Sequence, residues 1–163
     1  MQLSGQEVDD YADALAALLE RYGVVLTTPG LRSRVEVIED DDGSLSFELI
    51  GSLPDGAAPL RSSVIVREGF RLSRLDRYER DGYEYELVDR ERSFRRAFHL
   101  HDAEWFQHRY LVLVHEHCEQ PMGTTTRCDH HQGLPVRDGF AGVVALIDAW
   151  MGEPTCDGLR CLD

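Results

Sequence analysis

Residues 63–101 read SVIVREGFRLSRLDRYERDGYEYELVDRERSFRRAFHLH. Polar and apolar residues alternate over Ser63–Arg67, Arg71–Tyr78, Tyr83–Val88 and Phe94–His101. A period of two is that of a strand with one buried face. Asp81-Gly82 reads as a turn between two of these strands. Short strands so closely spaced predict an antiparallel meander. Upstream, Arg34–Glu39 and Ser44–Ile50 alternate around Asp42-Gly43, a hairpin signal. Pro54–Pro59 reads as a loop, where a small N-terminal piece could divide from the rest.

The flanks carry helical periods. Ser4-x-x-Glu7 has the pattern of a capping box. Behind it Val8, Tyr11, Ala12, Leu15, Leu18, Leu19 and Tyr22 recur at helical spacing, so a helix is predicted over about 5–22, closed by Gly23. Asp9, Asp10 and Asp13 near its start suit the positive end of the helix dipole. At the other end, Asp138 precedes an apolar run that Gly152 ends, predicting a helix over 139–151. Between them, Asp102 could cap a brief helical turn over 103–108, and Tyr110–Cys118 reads as a strand centred on Leu111–Val114. Residues 121–135 read as a polar loop. Helix, many strands, helix predicts an α+β chain. The expected form is one domain over 1–163, an antiparallel sheet meander packed against an N-terminal and a C-terminal helix.

Composition narrows the function classes. The chain has 30 acidic residues against 17 basic ones, a net charge of −13, and every basic residue is arginine. It contains neither lysine nor asparagine, as a GC-rich genome or a halophile's salty cytoplasm would favour. Such acidity argues against broad, nonspecific DNA binding. There is no apolar run long enough to span a membrane, and the first residues lack the basic and apolar segments of a secretory signal. A cytoplasmic protein with reduced cysteines is therefore expected.

All seven histidines and four cysteines lie between His99 and Cys161, a Cys/His-rich part over 99–163. Cys118 and Cys128, then Cys156 and Cys161, form two pairs that a tetrahedral zinc could join. His130 or His131 could replace one thiolate. Buried, free cysteines are the plainer alternative. On strands, His99 and His101 share one face, and His115 and His117 share a face with Leu111 and Leu113, with Cys118 pointing the other way. If the two strands are neighbours, four imidazoles converge as metal ligands or as acid and base for phosphodiester cleavage.

Ten of the 17 arginines fall in 61–98. Arg71, Arg74, Arg77, Arg95 and Arg96 interleave with aromatics, a pattern that can grip phosphate and stack bases. The same run holds many carboxylates, so cross-strand ion pairs explain most of it without a ligand. No Walker loop, nucleophile elbow, zincin helix or EF-hand pattern occurs.

Tyr83-Glu-Tyr-Glu-Leu-Val-Asp89, then Arg95-Arg-Ala-Phe-His-Leu-His-Asp102, a His-rich stretch and a final helix after Pro135-Val-Arg-Asp-Gly-Phe form a wider pattern. Over about residues 70–150 it resembles the TumE-type toxins of prokaryotic toxin–antitoxin pairs. Their Arg-Tyr-Asp-Asn segment is replaced by Arg96-Ala-Phe-His99. The resemblance implies a toxin-like ribonuclease acting on RNA, with an antitoxin-like helix-turn-helix protein partner. His99, His101, His115 and His117 are the residues that carry over as catalytic candidates. The alternative expectation is a non-enzymatic, zinc-stabilised adaptor.

Overall fold

The computed structural model describes residues 2–27, 35–54, 62–100, 108–109, 111–123 and 130–162. Its sheet contains β1 (Gln2–Leu3), β2 (Val25–Leu26), β3 (Val37–Glu39), β4 (Leu45–Ser52), β5 (Ser63–Arg74), β6 (Arg77–Asp89), β7 (Phe94–Leu100), β8 (Val114–Glu119) and β9 (His130–Gln132). The strands run in the order β2-β4-β5-β6-β7-β8-β9, with β3 on β4 and β1 on β6, and all pairings are antiparallel. The helices are α1 (Gly5–Arg21) and α2 (Gly139–Met151). The α+β architecture with terminal helices is thus the one the sequence predicts.

Both helices form where their signals stand. Ser4 Oγ accepts from the Glu7 amide at 3.3 Å, while Glu7 returns a carboxylate to the Ser4 amide at 2.7 Å. Asp138 accepts from the Ala141 amide at 2.9 Å and caps α2. Val8, Tyr11, Ala12, Leu15 and Leu19 of α1 are buried, as are Val143, Leu146 and Ile147 of α2. They meet Phe47, Val64, Val66, Phe70, Tyr83, Tyr85 and Leu87 of the sheet in one core. Removing such side chains from water is the main favourable contribution to folding.

The centre of the sheet departs from expectation. Ser63–Arg67 and Arg71–Tyr78 are not two strands. β5 runs unbroken through Glu68–Phe70, and the chain reverses at Leu75-Asp76, where Asp76 takes a positive φ of 54°. Asp81-Gly82 is no turn. It lies inside β6 at a register shift: Gly69 opposes Gly82, but Phe70 opposes Arg80. Asp81 is the extra residue of a β-bulge. The shift has a purpose in the core. It places Arg80 on the same face as Tyr83 and Tyr85, where a regular strand would have sent Asp81.

There Arg80 joins a buried polar knot. Glu68, 2% exposed, accepts from Tyr85 at 2.6 Å and from Tyr11 at 2.9 Å. Arg80 Nη1 lies 3.5 Å from Glu68 and donates to Tyr85 Oη at 2.8 Å, and its Nη2 donates to the Val136 and Arg137 carbonyls. The Gly139 amide donates to Tyr11 Oη at 2.6 Å. The knot ties α1, β5, β6 and the start of α2 together. Burial pushes the Glu68 carboxyl above its ordinary range, although the tyrosine hydroxyls and Arg80 oppose the shift.

The strand predicted over Tyr110–Cys118 begins only at Val114. Leu111 has a positive φ of 56° and is 87% exposed, so the apolar run ahead of the strand is not its centre. The helical turn expected over 103–108 lies almost wholly outside the described residues, as does the 55–59 part of the possible domain break. β4 and β5 pair directly across that break.

Candidate histidine centre

Register decides which side chains share a face. Tyr85 packs against α2, where a Cβ on Gly142 would come within 2.6 Å of its ring. Tyr85 therefore points to the helix face, and Glu84 and Glu86 point away from it. Across the strands, Glu84 opposes His99, His99 opposes His115, and His115 opposes Gln132. In the next row Glu86 opposes Ala97, Ala97 opposes His117, and His117 opposes His130. The sheet face turned away from the helices thus gathers His99, His115, His117 and His130 from three adjacent strands.

The rings are in contact. Centroid separations are 5.0 Å for His99–His115, 4.8 Å for His99–His117 and 5.0 Å for His115–His117. His130 adds separations of 4.3 Å to His117 and 5.8 Å to His115. The Nε2 atoms of His115 and His117 stand 3.2 Å apart. One ligand nitrogen from each of His99, His115 and His117 falls within 4.8 Å of the other two. His115 is buried and His117 half-buried. The imidazoles thus converge in a site shielded from solvent at its inner end.

Carboxylates border the cluster. Glu84, Glu86 and His99 also present ligand atoms within 4.8 Å of one another. Arg95 grips Glu86 at 3.0 and 3.3 Å and Glu119 at 2.6 Å. Burial works against the Arg95 charge, but these carboxylates outweigh it and hold its pKa above the ordinary arginine value. Arg67 likewise bonds Glu84 at 2.6 Å and also contacts Glu48.

The cysteines do not form the expected site. Cys118 and Cys156 are joined in a disulfide, and Cys161 is disulfide-bonded as well. Zinc binds thiolates, so these sulfurs are not ligands as they stand. The expectation that they are reduced fails with it. The pairing follows from faces. Cys118 opposes Arg96 on the helix side, where it is buried in the core, and the chain leaving α2 brings Cys156 to it. His131 opposes Glu116 on this side, bridges to Cys161 and is separated from the imidazole cluster. Of the two histidines offered as substitutes for a thiolate, only His130 reaches the histidine face. His101 and Cys128 lie outside the described residues.

The arginine island resolves largely into ion pairs. Arg77 meets Glu7 at 3.1 Å, Arg96 meets Glu116 at 2.8 Å, and Arg95 holds the two carboxylates described above. Arg71 and Arg74 are exposed near the β5–β6 turn. Ion pairs thus engage Arg77, Arg95 and Arg96, three of the five arginines of the phosphate-guide reading.

No family model matches this chain, and no curated protein or solved structure matches it. The resemblance to TumE-type toxins stands on the sequence alone. Among the described residues, no helix is long and apolar enough to cross a membrane.

Proposed function

We propose that this is a metal-binding protein whose centre is formed by His99, His115 and His117, with zinc the first candidate. The observation that carries the reading is the convergence of three imidazole nitrogens within 4.8 Å from two paired strands. The 3.2 Å between the Nε2 atoms of His115 and His117 supports it. Two nitrogens bound to one tetrahedral zinc at about 2.0–2.1 Å stand roughly 3.3–3.4 Å apart. Imidazole suits zinc, copper, nickel and iron, so the set is not selective by ligand type alone.

Three protein ligands leave a fourth position for water or substrate, the arrangement of catalytic zinc. Held by these three imidazoles, zinc would supply a water activated near neutral pH. The reaction class is then hydrolysis. An RNA phosphodiester is the substrate to try first, because the toxin resemblance names it. An antitoxin-like partner belongs to the same reading.

A second reading keeps the residues and drops the metal. At 3.2 Å, His115 and His117 are also within hydrogen-bond reach, and one imidazole donating to the other is the geometry of an acid–base pair. It asks the arginines to guide phosphate, and their ion pairs weigh against that.

Zinc titration of chelator-stripped protein, followed by metal analysis after desalting, tests the proposal. About one zinc per chain is expected for the wild type, with loss in His117→Ala and retention in Arg77→Ala. A wild type that retains no zinc overturns it. RNA cleavage that persists in excess chelator would select the metal-free acid–base pair instead.

A further inference from the structure

We propose that Glu84, clamped by Arg67, is a positioning residue of the histidine centre: it orients His99 and raises the site's affinity for metal. This deepens the metal reading and rests on it.

The argument begins with register. Glu48, Arg67, Glu84, His99 and His115 are direct partners on β4, β5, β6, β7 and β8, one straight row across the sheet. Side chains so opposed lie about 4.5–5.5 Å apart at Cβ, close enough for each to fix the next. Arg67 Nη1 donates to Glu84 Oε2 at 2.6 Å, while its Nε donates to Glu48. The other oxygen of Glu84, Oε1, lies 3.9 Å from His99 Nε2. Exposure falls along the row, from 45% for the Arg67 side chain to 27% for Glu84 and 11% for His99. The clamp sits at the rim and its effect is directed inward.

Glu86, the other carboxylate on this border, is differently engaged. Arg95 draws on both of its oxygens, at 3.0 and 3.3 Å. Arg67 takes only one oxygen of Glu84 and leaves the second facing His99. Metal-binding imidazoles characteristically rely on such a carboxylate, which fixes ring orientation and tautomer and makes the ligand more basic. A 3.9 Å separation exceeds a hydrogen bond, so the carboxylate acts on the ring through its charge.

The test uses the full chain, zinc alone as the probe, and four proteins: wild type, Glu84→Gln, Glu84→Asp and Arg67→Met. Zinc affinity is read by competition with a chelator, and cobalt(II) absorption reports the coordination. Glu84→Gln should weaken zinc about 10–100-fold and shift the cobalt spectrum, because losing an outer carboxylate typically costs that much. Glu84→Asp should recover most of the affinity. Arg67→Met should weaken binding in the same direction by a smaller factor, and it keeps the proposal testable if Glu84→Gln does not fold. Thermal unfolding of the metal-free forms separates positioning from structure, since a positioning residue changes affinity without a matching fall in apo stability. The proposal is overturned if Glu84→Gln binds zinc within about twofold of wild type with the same cobalt spectrum. It is equally overturned if Glu84→Asp is as weak as Glu84→Gln and both apo proteins are destabilised in proportion. If the wild type takes up no zinc, the metal reading falls and takes this inference with it. If the wild type binds and the variants do not differ, this inference alone falls.

Discussion

Gly139→Ala should destabilise the protein by more than a helix-favouring substitution has any right to. Gly139 opens α2, and its φ is not positive, so backbone strain is not the issue. The added methyl has no room. An ideal Cβ lies 2.4 Å from Glu68 Oε1, 2.6 Å from Leu15 Cδ1 and 2.7 Å from Tyr11 Oη. None of these neighbours can retreat cheaply. Glu68 Oε1 is held by two tyrosine hydroxyls, Tyr11 Oη receives the Gly139 amide, and Leu15 is fully buried. Overpacking costs about 1–3 kcal/mol. A displaced hydrogen bond to a charged group adds about 1.5–3 kcal/mol. Against this, alanine returns at most about 1 kcal/mol of helix propensity. The net loss is about 2–4 kcal/mol, which for a chain of this length lowers Tm by roughly 5–15 °C. Urea unfolding followed by circular dichroism measures it, and an unchanged m-value would show that the effect is stability and not altered compactness. A midpoint equal to or above that of wild type would refute the account of the knot.

Three further outcomes are expected. The Cys118–Cys156 bridge closes a loop with a sequence separation of 38, so replacing both Cys118 and Cys156 by Ser should cost about 4 kcal/mol in the chain-entropy model; a urea midpoint equal to that of wild type would contradict this. Glu68 has a folded-state pKa raised by burial above its ordinary 4.5, so the folded state holds the proton longer and stability falls as pH rises from that value towards the folded pKa. Relative to Glu68→Gln, the wild type should therefore lose ground over that window, and parallel pH–stability curves would count against it. Finally, zinc at 100 times its Kd should stabilise the wild type by about 2.7 kcal/mol, seen as a rise in Tm that His117→Ala abolishes while the metal-free Tm stays close to wild type.

Much of the fold was legible because its signals are local. A capping box, an Asp cap and two helical periods fixed α1 and α2 within a residue or so. The strands were legible as a class and less so in their limits. Asp81-Gly82 looks like a turn in any window of four residues. Only the demand for Arg80 beside Glu68, 12 positions away in sequence, explains why the chain bulges there instead of reversing. The run Leu111-Val-Leu113 suggested a strand centre from hydrophobicity alone, but the pairing that makes a strand comes from β7 and β9. For the site, period two correctly separated His115 and His117 from Cys118. The same reasoning put His99 beside them once β7 and β8 were neighbours. His130, like His131, was offered only as a substitute for one thiolate. Its strand instead pairs with β8, and register carries it to the histidine face.

The cysteine outcome shows why sequence distance misleads here. Pairing by proximity links Cys118 with Cys128 and Cys156 with Cys161, whereas the structure links Cys118 with Cys156 across the whole of α2. What matters is which face a strand turns towards an incoming segment, and Cys118 faces the helices. This divides the labour of the sheet. On the helix side several buried polar groups have structural explanations: Glu68 serves the knot, Asp89 binds Arg92 and Ser62, Glu116 pairs with Arg96, and the Cys118 disulfide fastens the tail. On the outer side four imidazoles crowd together, which neither strand propensity nor core packing asks for. Burying such polar rings, as His115 is, carries a desolvation cost that an apolar side chain at the same position would not. Natural sequences break local rules of this kind chiefly at functional sites. The histidine face is therefore where the chemistry of this protein is to be sought, and the metal titration is the first measurement to make there.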